Sequence, residues 1–221
     1  MSLPVQAADV AGFVLAGGQS SRMGVDKALV EFAGRPLIAH ALGTLREAGL
    51  EAAIAGARSD LSSYASVVAD AAADLGPLSG ICAALASITA QWVVFMTVDL
   101  PLVPASLVVY LLAHARITES LVTAAAVNGF PQTFPAVIHR DCVPVLEKEL
   151  KDGRRGCYSA YQAAACDGGQ SVAILPVEVL IQAGHVFHPY GLPATRWFSN
   201  LNSKLDLARA AAYPHLSHRV S

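Results

Sequence analysis

The residues best suited to chemistry stand in one glycine-rich, cationic stretch, Leu15–Lys27, which reads LAGGQSSRMGVDK. It follows an apolar run, Val10–Ala16, that is typical of a buried strand. Glycines let a backbone approach an anion closely, because no Cβ intervenes. Backbone N–H groups and the side chains of Arg22 and Lys27 would add donors and positive charge. The stretch therefore predicts a phosphate-binding loop in preference to an ordinary surface turn.

Two common phosphate-binding motifs are excluded by the spacing of these glycines. A Walker A loop requires a glycine followed directly by lysine and then serine or threonine, and a dinucleotide fingerprint requires G-x-G-x-x-G. Gly17 and Gly18 followed by Gly24 fit neither pattern. The stretch thus points to a phosphate site of another kind.

Two carboxylates follow strand-like segments further along the chain. Asp99 comes directly after Trp92–Val98, the strongest strand pattern in the sequence, and Asp70 follows Ser66–Ala69. The carboxyl ends of parallel strands face the crevice in which ligands bind, and carboxylates are the usual protein ligands of Mg²⁺. Asp99 is therefore predicted to bind a metal ion, with a helix or turn cap as the alternative. For Asp70, local features favour a ligand contact and a helix entry equally.

The loop Leu-Ala-Gly-Gly-x-x-x-Arg-Met-Gly-x-Asp-Lys resembles that of the nucleotidyltransferases related to molybdenum cofactor guanylyltransferase, the MobA-like family. The resemblance extends to an Asp before Gly76–Gly80, which reads GPLSG, to Asp99-Leu-Pro101, and to the segment 200–206. It implies that Asp99 binds both the nucleotide and magnesium, and that Asp70, or else Asp74, contacts the nucleotide. The nucleotide-binding set that it implies is Leu15, Ala16, Gly17, Gly18, Arg22, Met23, Gly24, Lys27, Asp70, Gly80 and Asp99.

Two further elements resemble parts of the acceptor side in this family. Arg154 and Arg155 correspond to a Gly-x-Arg-Arg element that faces the second substrate, although a solvated pair at a helix junction is an equal alternative. Asn200 and Asn202 correspond to asparagines that lie close to the active site. These two asparagines can equally satisfy backbone groups of their own loop.

The resemblance implies a magnesium-dependent transfer of GMP from GTP to molybdopterin, with release of pyrophosphate. Arg22, Lys27 and Asp99 would be the catalytic residues, because phosphoryl chemistry depends mainly on positioning and charge neutralisation. The amide side chain with which relatives read guanine is missing from Ile54–Arg58, so the base stays open. The alternatives are a donor such as CTP, a sugar or polyol phosphate acceptor, or a nucleotide-binding module without catalysis.

Alternating strand and helix patterns predict an α/β fold with a doubly wound, mostly parallel sheet between two helical layers, a Rossmann-like nucleotidyltransferase fold. We expect one domain over residues 1–221, with a nucleotide-binding half over about 9–115 and an acceptor half over about 116–221. The predicted strands are 10–16, 52–57, 66–69, 92–98, 121–127, 133–138 and 171–177, with helices from 36, over 78–88, 104–114, 141–150 and 158–165, and after 207.

Composition limits the classes of function. Basic residues are scattered and the net charge is −2, which argues against a general nucleic-acid binder. Apolar runs fall well short of the ~18 residues that a membrane span needs, and the first residues do not resemble a signal peptide. A cytoplasmic monomer or weak homo-oligomer is expected, with molybdoenzyme-maturation proteins as partners if the resemblance holds. The four cysteines lack C-x-x-C spacing and are expected to be free, buried thiols.

Overall fold

The computed structural model describes residues 9–17, 26–70, 75–201 and 206. The strands and helices alternate over most of this length, as the sequence patterns predict. In chain order they are β1 (Val10–Leu15), β2 (Glu31–Phe32), β3 (Arg35–Pro36), α1 (Leu37–Glu47), β4 (Ala52–Ala55), β5 (Val67–Val68), α2 (Pro77–Ser87), β6 (Trp92–Thr97), α3 (Ala105–Thr118), β7 (Val122–Val127), β8 (Phe130–His139), α4 (Val143–Lys151), α5 (Cys157–Asp167), β9 (Ala173–Pro176), α6 (Val177–Gln182) and α7 (Ala194–Trp197).

The described residues form a seven-stranded sheet in the order β5-β4-β1-β6-β8-β7-β9. All neighbouring pairs from β5 to β6 are parallel, and β8 is antiparallel to both β6 and β7. The chain passes outward from β1 to β5 and then returns to the other side of β1 with β6. Ligands bind at such a switch point, and here it lies between the strand ends at Leu15 and Thr97. The predicted doubly wound, mostly parallel sheet is confirmed.

Helices cover both faces of the sheet, so the core has two layers. Residues alternate along β6: Val94 and Met96 pack with α1 and α3, whereas Val93 and Phe95 pack with α2, α4 and α5. This alternation follows from the two-residue period of a strand, and all four side chains are fully buried. A strand that is buried on both faces reads as a continuous apolar run, which explains why β6 was the clearest strand in the sequence.

Two segments differ from the sequence-based expectation. The sequence Ala28–Phe32 predicts a short extended segment, but Lys27–Leu29 forms a 3-10 turn, and only then does β2 pair with β3. The turn forms because the Asp26 carboxylate accepts a hydrogen bond from the Ala28 N–H. Val179–Pro193 has no clear hydrophobic period and predicts no regular structure, yet α6 extends to Gln182. The predicted helix after residue 207 lies outside the described residues.

The four cysteines are free thiols, as expected, but they differ in exposure. Cys82, Cys142 and Cys157 are buried, and Cys166, near the end of α5, is exposed. The expectation of burial is therefore wrong for Cys166. Burial raises the pKa of Cys82 to about 11 and that of Cys142 and Cys157 to about 12. A protonated, buried thiol is a poor nucleophile.

We expect the folded protein to react rapidly with Ellman's reagent at Cys166 alone, because the other three thiols are buried and protonated at neutral pH. The released thionitrobenzoate should correspond to one thiol before and four thiols after denaturation. Cys166→Ser should abolish the fast phase. Rapid labelling of the folded Cys166→Ser variant would contradict this assignment.

Candidate active site

A cavity of about 180 Å³ opens at the carboxyl ends of β1, β4 and β6, at the switch point of the sheet. Its walls come from the loops that follow these strands and from the first turn of α2. Seven of the residues predicted from the sequence and the family resemblance are thus found at or beside one cavity. The lining residues are Leu15, Gly17, Lys27, Ala55, Gly56, Asp70, Gly76, Pro77, Gly80, Thr97, Val98 and Asp99, and Ala16 is the buried neighbour of Gly17.

An ion pair between Lys27 and Asp99 lies in this cavity. The Lys27 Nζ is 2.9 Å from the Asp99 Oδ2, and the two side chains are 18% and 22% exposed. The Thr97 hydroxyl donates a short hydrogen bond to the other oxygen of the Asp99 carboxylate. The structure thus brings together two of the three residues predicted to be catalytic, although 72 positions separate them in the sequence.

The Asp99 loop is supported from behind by the C-terminal segment. The Leu201 N–H donates to the Asp99 carbonyl oxygen at 3.1 Å, and Leu201 itself is buried. Trp197, also buried, anchors the same segment by donating from Nε1 to the Leu192 carbonyl oxygen at 2.7 Å. Asn200 is exposed one position before Leu201, so the fold carries this predicted residue to the neighbourhood of Asp99.

Glycines allow two loops to meet at one wall of the cavity. A Cβ at Gly56 would lie 2.8 Å from the backbone nitrogen of Gly17, and Gly56 has a φ of 141°, which side chains rarely tolerate. A Cβ at Gly80 would lie 3.2 Å from a methyl carbon of Leu15. The loops after β1 and β4 therefore meet backbone to backbone at Gly17 and Gly56, and α2 packs closely against the end of β1 at Gly80.

Asp70, which follows β5, supplies a second carboxylate to the lining of the cavity. Its Oδ1 atom is buried and has no hydrogen-bond partner among the described residues. A buried acceptor without a partner is costly, so a donor for this atom must come from outside the described residues. Asp74, the alternative named above, lies outside the described residues.

Arg58 holds the turn that carries Lys27, and sequence reasoning missed it. The guanidinium of Arg58 forms a fork with both oxygens of the Asp26 carboxylate and another with those of Asp60. These contacts raise the pKa of Arg58 and lower the pKa of the Asp60 carboxyl. Asp60 is two residues away, but Asp26 is 32 away, and no local pattern reveals a pair at that distance.

Arg154 is held mainly by neighbouring carboxylates. Its Nε and Nη2 lie 2.6 Å from the two oxygens of Glu149, and Nη2 lies 2.7 Å from an oxygen of Asp152. The Arg154 guanidinium lowers the pKa of the Glu149 carboxyl. The alternative of a helix-junction pair thus accounts for the placement of Arg154. Arg155 is exposed in the same loop, and its acceptor role stays a prediction.

The loop of these arginines lies at the same edge of the sheet as the cavity. The chain segment after α5 meets the start of β7, because the Gln170 Oε1 accepts from the Leu121 N–H at 2.9 Å. β7 runs parallel to β6, so the start of β7 and the end of α5 lie at the amino edge of the sheet. The other end of α5, which follows the arginine loop, therefore lies towards the carboxyl edge, where the cavity opens.

The remaining predicted residues lie outside the described part of the chain: Gly18, Arg22, Met23, Gly24 and Asn202.

Comparison with known families places this site in context. The profile of the MobA-like NTP transferase domain matches residues 12–167, which include the cavity, the ion pair and the Arg154 loop. The chain belongs to the MobA-like NTP transferase family. The family prediction is confirmed, and the matched range contains all the described cavity residues.

Two relatives within the MobA-like family are 36–38% identical to this chain over the aligned residues. A molybdenum cofactor guanylyltransferase from Photobacterium profundum is 36% identical over 153 residues, which are 67% of this chain and 78% of the relative. Another from Pseudomonas putida is 38% identical over 162 residues, 70% of this chain and 83% of the relative. The chain is thus similar to these enzymes over most of their length.

Solved structures of MobA-like and related proteins share the fold. Molybdopterin-guanine dinucleotide biosynthesis protein A from Archaeoglobus fulgidus superposes with a TM-score of 0.70 at 22% identity, over 91% of this chain and 96% of that protein. The 2-C-methyl-D-erythritol 4-phosphate cytidylyltransferase from Thermus thermophilus has a TM-score of 0.64 at 17% identity, over 92% and 98%. These likenesses establish the nucleotidyltransferase fold.

We expect Gly56→Ala to lower the free energy of unfolding by about 3 kcal/mol, because the new methyl group meets the Gly17 backbone and the φ is strained. Gly34→Ala is the matched control, since Gly34 also has a positive φ but has open space around its Cα. It should cost only about 1 kcal/mol. Urea unfolding measures both, and equal losses would contradict the close approach of the two loops.

Proposed function

We propose that this protein transfers GMP from GTP to molybdopterin and releases pyrophosphate. The observation that carries the proposal is the Lys27–Asp99 pair in a glycine-walled cavity at the switch point. The relatives that share most of the chain are named molybdenum cofactor guanylyltransferase. A lysine ammonium, a carboxylate and glycine backbone are the groups that bind a polyphosphate and its metal ion.

The reaction is an in-line displacement at the α-phosphorus of the nucleotide. A phosphate oxygen of the acceptor forms the new P–O bond, and the bond from the α-phosphorus to the bridging oxygen of the β-phosphate breaks. Pyrophosphate leaves with that electron pair. A phosphate nucleophile is already ionised, so no side-chain base is needed. Lys27, together with Arg22, neutralises charge on the leaving group.

The residues present fit a divalent cation. Among the described residues, no group of three or more His, Cys, Asp or Glu side chains forms a protein-only metal site. Mg²⁺ is commonly bound by one or two carboxylates together with water and substrate phosphates, and Asp99 provides such a carboxylate in the cavity. Asp99 would hold the ion, which would supply charge neutralisation at the reacting phosphates.

Asp70 supports guanine as the base. Its buried Oδ1 requires a donor, and a carboxylate can accept two neighbouring N–H groups. Guanine presents such a pair on its N1 and N2 atoms, whereas adenine and cytosine present one amino group beside an acceptor. The carboxylate of Asp70 would therefore take over the task of the amide side chain that is missing after β4.

The acceptor would bind over the second half of the chain, about 116–221, near Arg155 and Asn200. No helix within the described ranges is long and apolar enough to cross a membrane. We propose a cytoplasmic enzyme, monomeric or weakly self-associating, that delivers its product to molybdoenzyme-maturation proteins.

We expect Asp99→Asn to lower kcat for pyrophosphate release by about 10²-fold with GTP, Mg²⁺ and molybdopterin, because it removes a charge at the reacting phosphates. Asp141→Asn is the matched control: its side chain is 74% exposed, and it lies at the opposite edge of the sheet, beside the end of β8. This control should keep the wild-type rate. Undiminished turnover of Asp99→Asn would contradict the proposed metal role.

We expect the wild-type protein to bind GTP more tightly than ATP, UTP or CTP in calorimetric titrations with Mg²⁺. Asp70→Asn should weaken GTP about tenfold, because one acceptor for the base is lost. Binding of inorganic tripolyphosphate, which has no base, should not change. A preference of the wild type for CTP would overturn the guanylyl assignment and favour a cytidylyl donor.

A further inference from the structure

The guanidinium of Arg58 sits between two carboxylates and is the most buried member of the three. Its side chain is 13% exposed, compared with 37% for Asp26 and 54% for Asp60. Nη1 and Nη2 contact the two oxygens of Asp26, while Nε and Nη2 contact those of Asp60 at 2.9 and 2.7 Å. Each carboxylate is thus held by a planar fork of the guanidinium.

The two carboxylates have different neighbours. Asp60 belongs to the same loop as Arg58 and accepts two hydrogen bonds from its guanidinium. Asp26 directly precedes Lys27, and its Oδ1 also accepts from the Ala28 N–H at 3.0 Å. The contact with Asp26 therefore connects Arg58 to the turn that carries Lys27, whereas the contact with Asp60 connects Arg58 only to its own loop.

The turn that carries Lys27 is short and needs support from outside. It comprises Lys27–Leu29, and its backbone hydrogen bonds run from Leu29 to Asp26 at 3.1 Å and from Val30 to Lys27 at 3.2 Å. Short 3-10 turns have poor hydrogen-bond geometry and little stability of their own. The fork from Arg58 holds Asp26, the residue that caps the start of this turn.

Arg58 is tied to the cavity wall by its backbone as well. Its N–H donates to the Gly56 carbonyl oxygen at 2.8 Å, and the Gly56 N–H donates to the Val68 carbonyl oxygen at 2.9 Å. Gly56 packs against Gly17. One residue thus joins the wall formed by the loops after β1 and β4 to the turn that directs Lys27 towards Asp99.

We propose that Arg58 is a positioning residue that acts through Asp26 to hold Lys27 in place for the triphosphate of the nucleotide. The proposal rests on the proposed function for the identity of that ligand. Arg58 does not contact the phosphates itself, because its role is to set where the Lys27 ammonium lies. Its loss therefore costs affinity for the polyphosphate and leaves recognition of the base unchanged.

A double-mutant cycle tests this connection, with Mg²⁺ and inorganic tripolyphosphate as the calorimetric probe. Arg58→Met and Lys27→Met should each weaken tripolyphosphate binding about tenfold. The double variant should bind like Lys27→Met alone, because Arg58 acts only through Lys27. Arg58→Lys, which keeps the charge without the planar fork, should show an intermediate loss. Asp60→Asn, which spares the Asp26 fork, should bind like the wild type.

Each outcome decides for or against the Arg58–Asp26 clamp, the fork by which Arg58 holds Asp26 and so positions Lys27. Additive losses in the double variant, or wild-type binding by Arg58→Met, overturn it. A lower melting temperature of Arg58→Met without the coupling to Lys27 also overturns it, because this is the signature of a purely structural role. If the wild type transfers no GMP but the coupling is observed, the proposed function fails and the clamp stands. If GMP transfer occurs without the coupling, the clamp fails and the function stands.

Discussion

The ion pair between Lys27 and Asp99 is the contact on which the architecture of the site depends. It joins the end of the loop after β1 to the end of β6, across the switch point of the sheet. A partly buried charge is stable only when it is paired and hydrogen-bonded, and the Thr97 hydroxyl completes the bonding of the carboxylate. In the proposed function, a polyphosphate and its divalent ion would take over these two charges, with the phosphates against Lys27 and the ion against Asp99.

The surrounding structure positions this pair from several directions. Arg58 anchors the turn that carries Lys27 through its contact with Asp26, and the Leu201 N–H holds the backbone of Asp99 by donating to its carbonyl oxygen. Gly17 and Gly56 let the two flanking loops meet. These supports come from segments far apart in sequence, so a substitution in any of them can alter the site without touching a ligand.

Much of the fold was predictable because its strands and helices carry strong local signals. The apolar run Trp92–Val98 marks a strand that is buried on both faces, and the structure places β6 there. Signals fail where one tertiary contact decides the local structure. The turn at Lys27–Leu29 begins at Asp26, which Arg58 holds from 32 residues away, and the exposure of Cys166 depends on which face of α5 meets the sheet.

By itself, the sequence determined the chemistry that the chain has available. A glycine-rich cationic stretch and an Asp after the strongest strand suffice to indicate a phosphate and metal site, since residue types and strand ends are local properties. Only the tertiary structure decided which residues meet. The sheet topology brings Lys27 to Asp99 across 72 positions and Arg58 to Asp26 across 32. Side-chain contacts between such distant segments exist only after the strands have been ordered in the sheet.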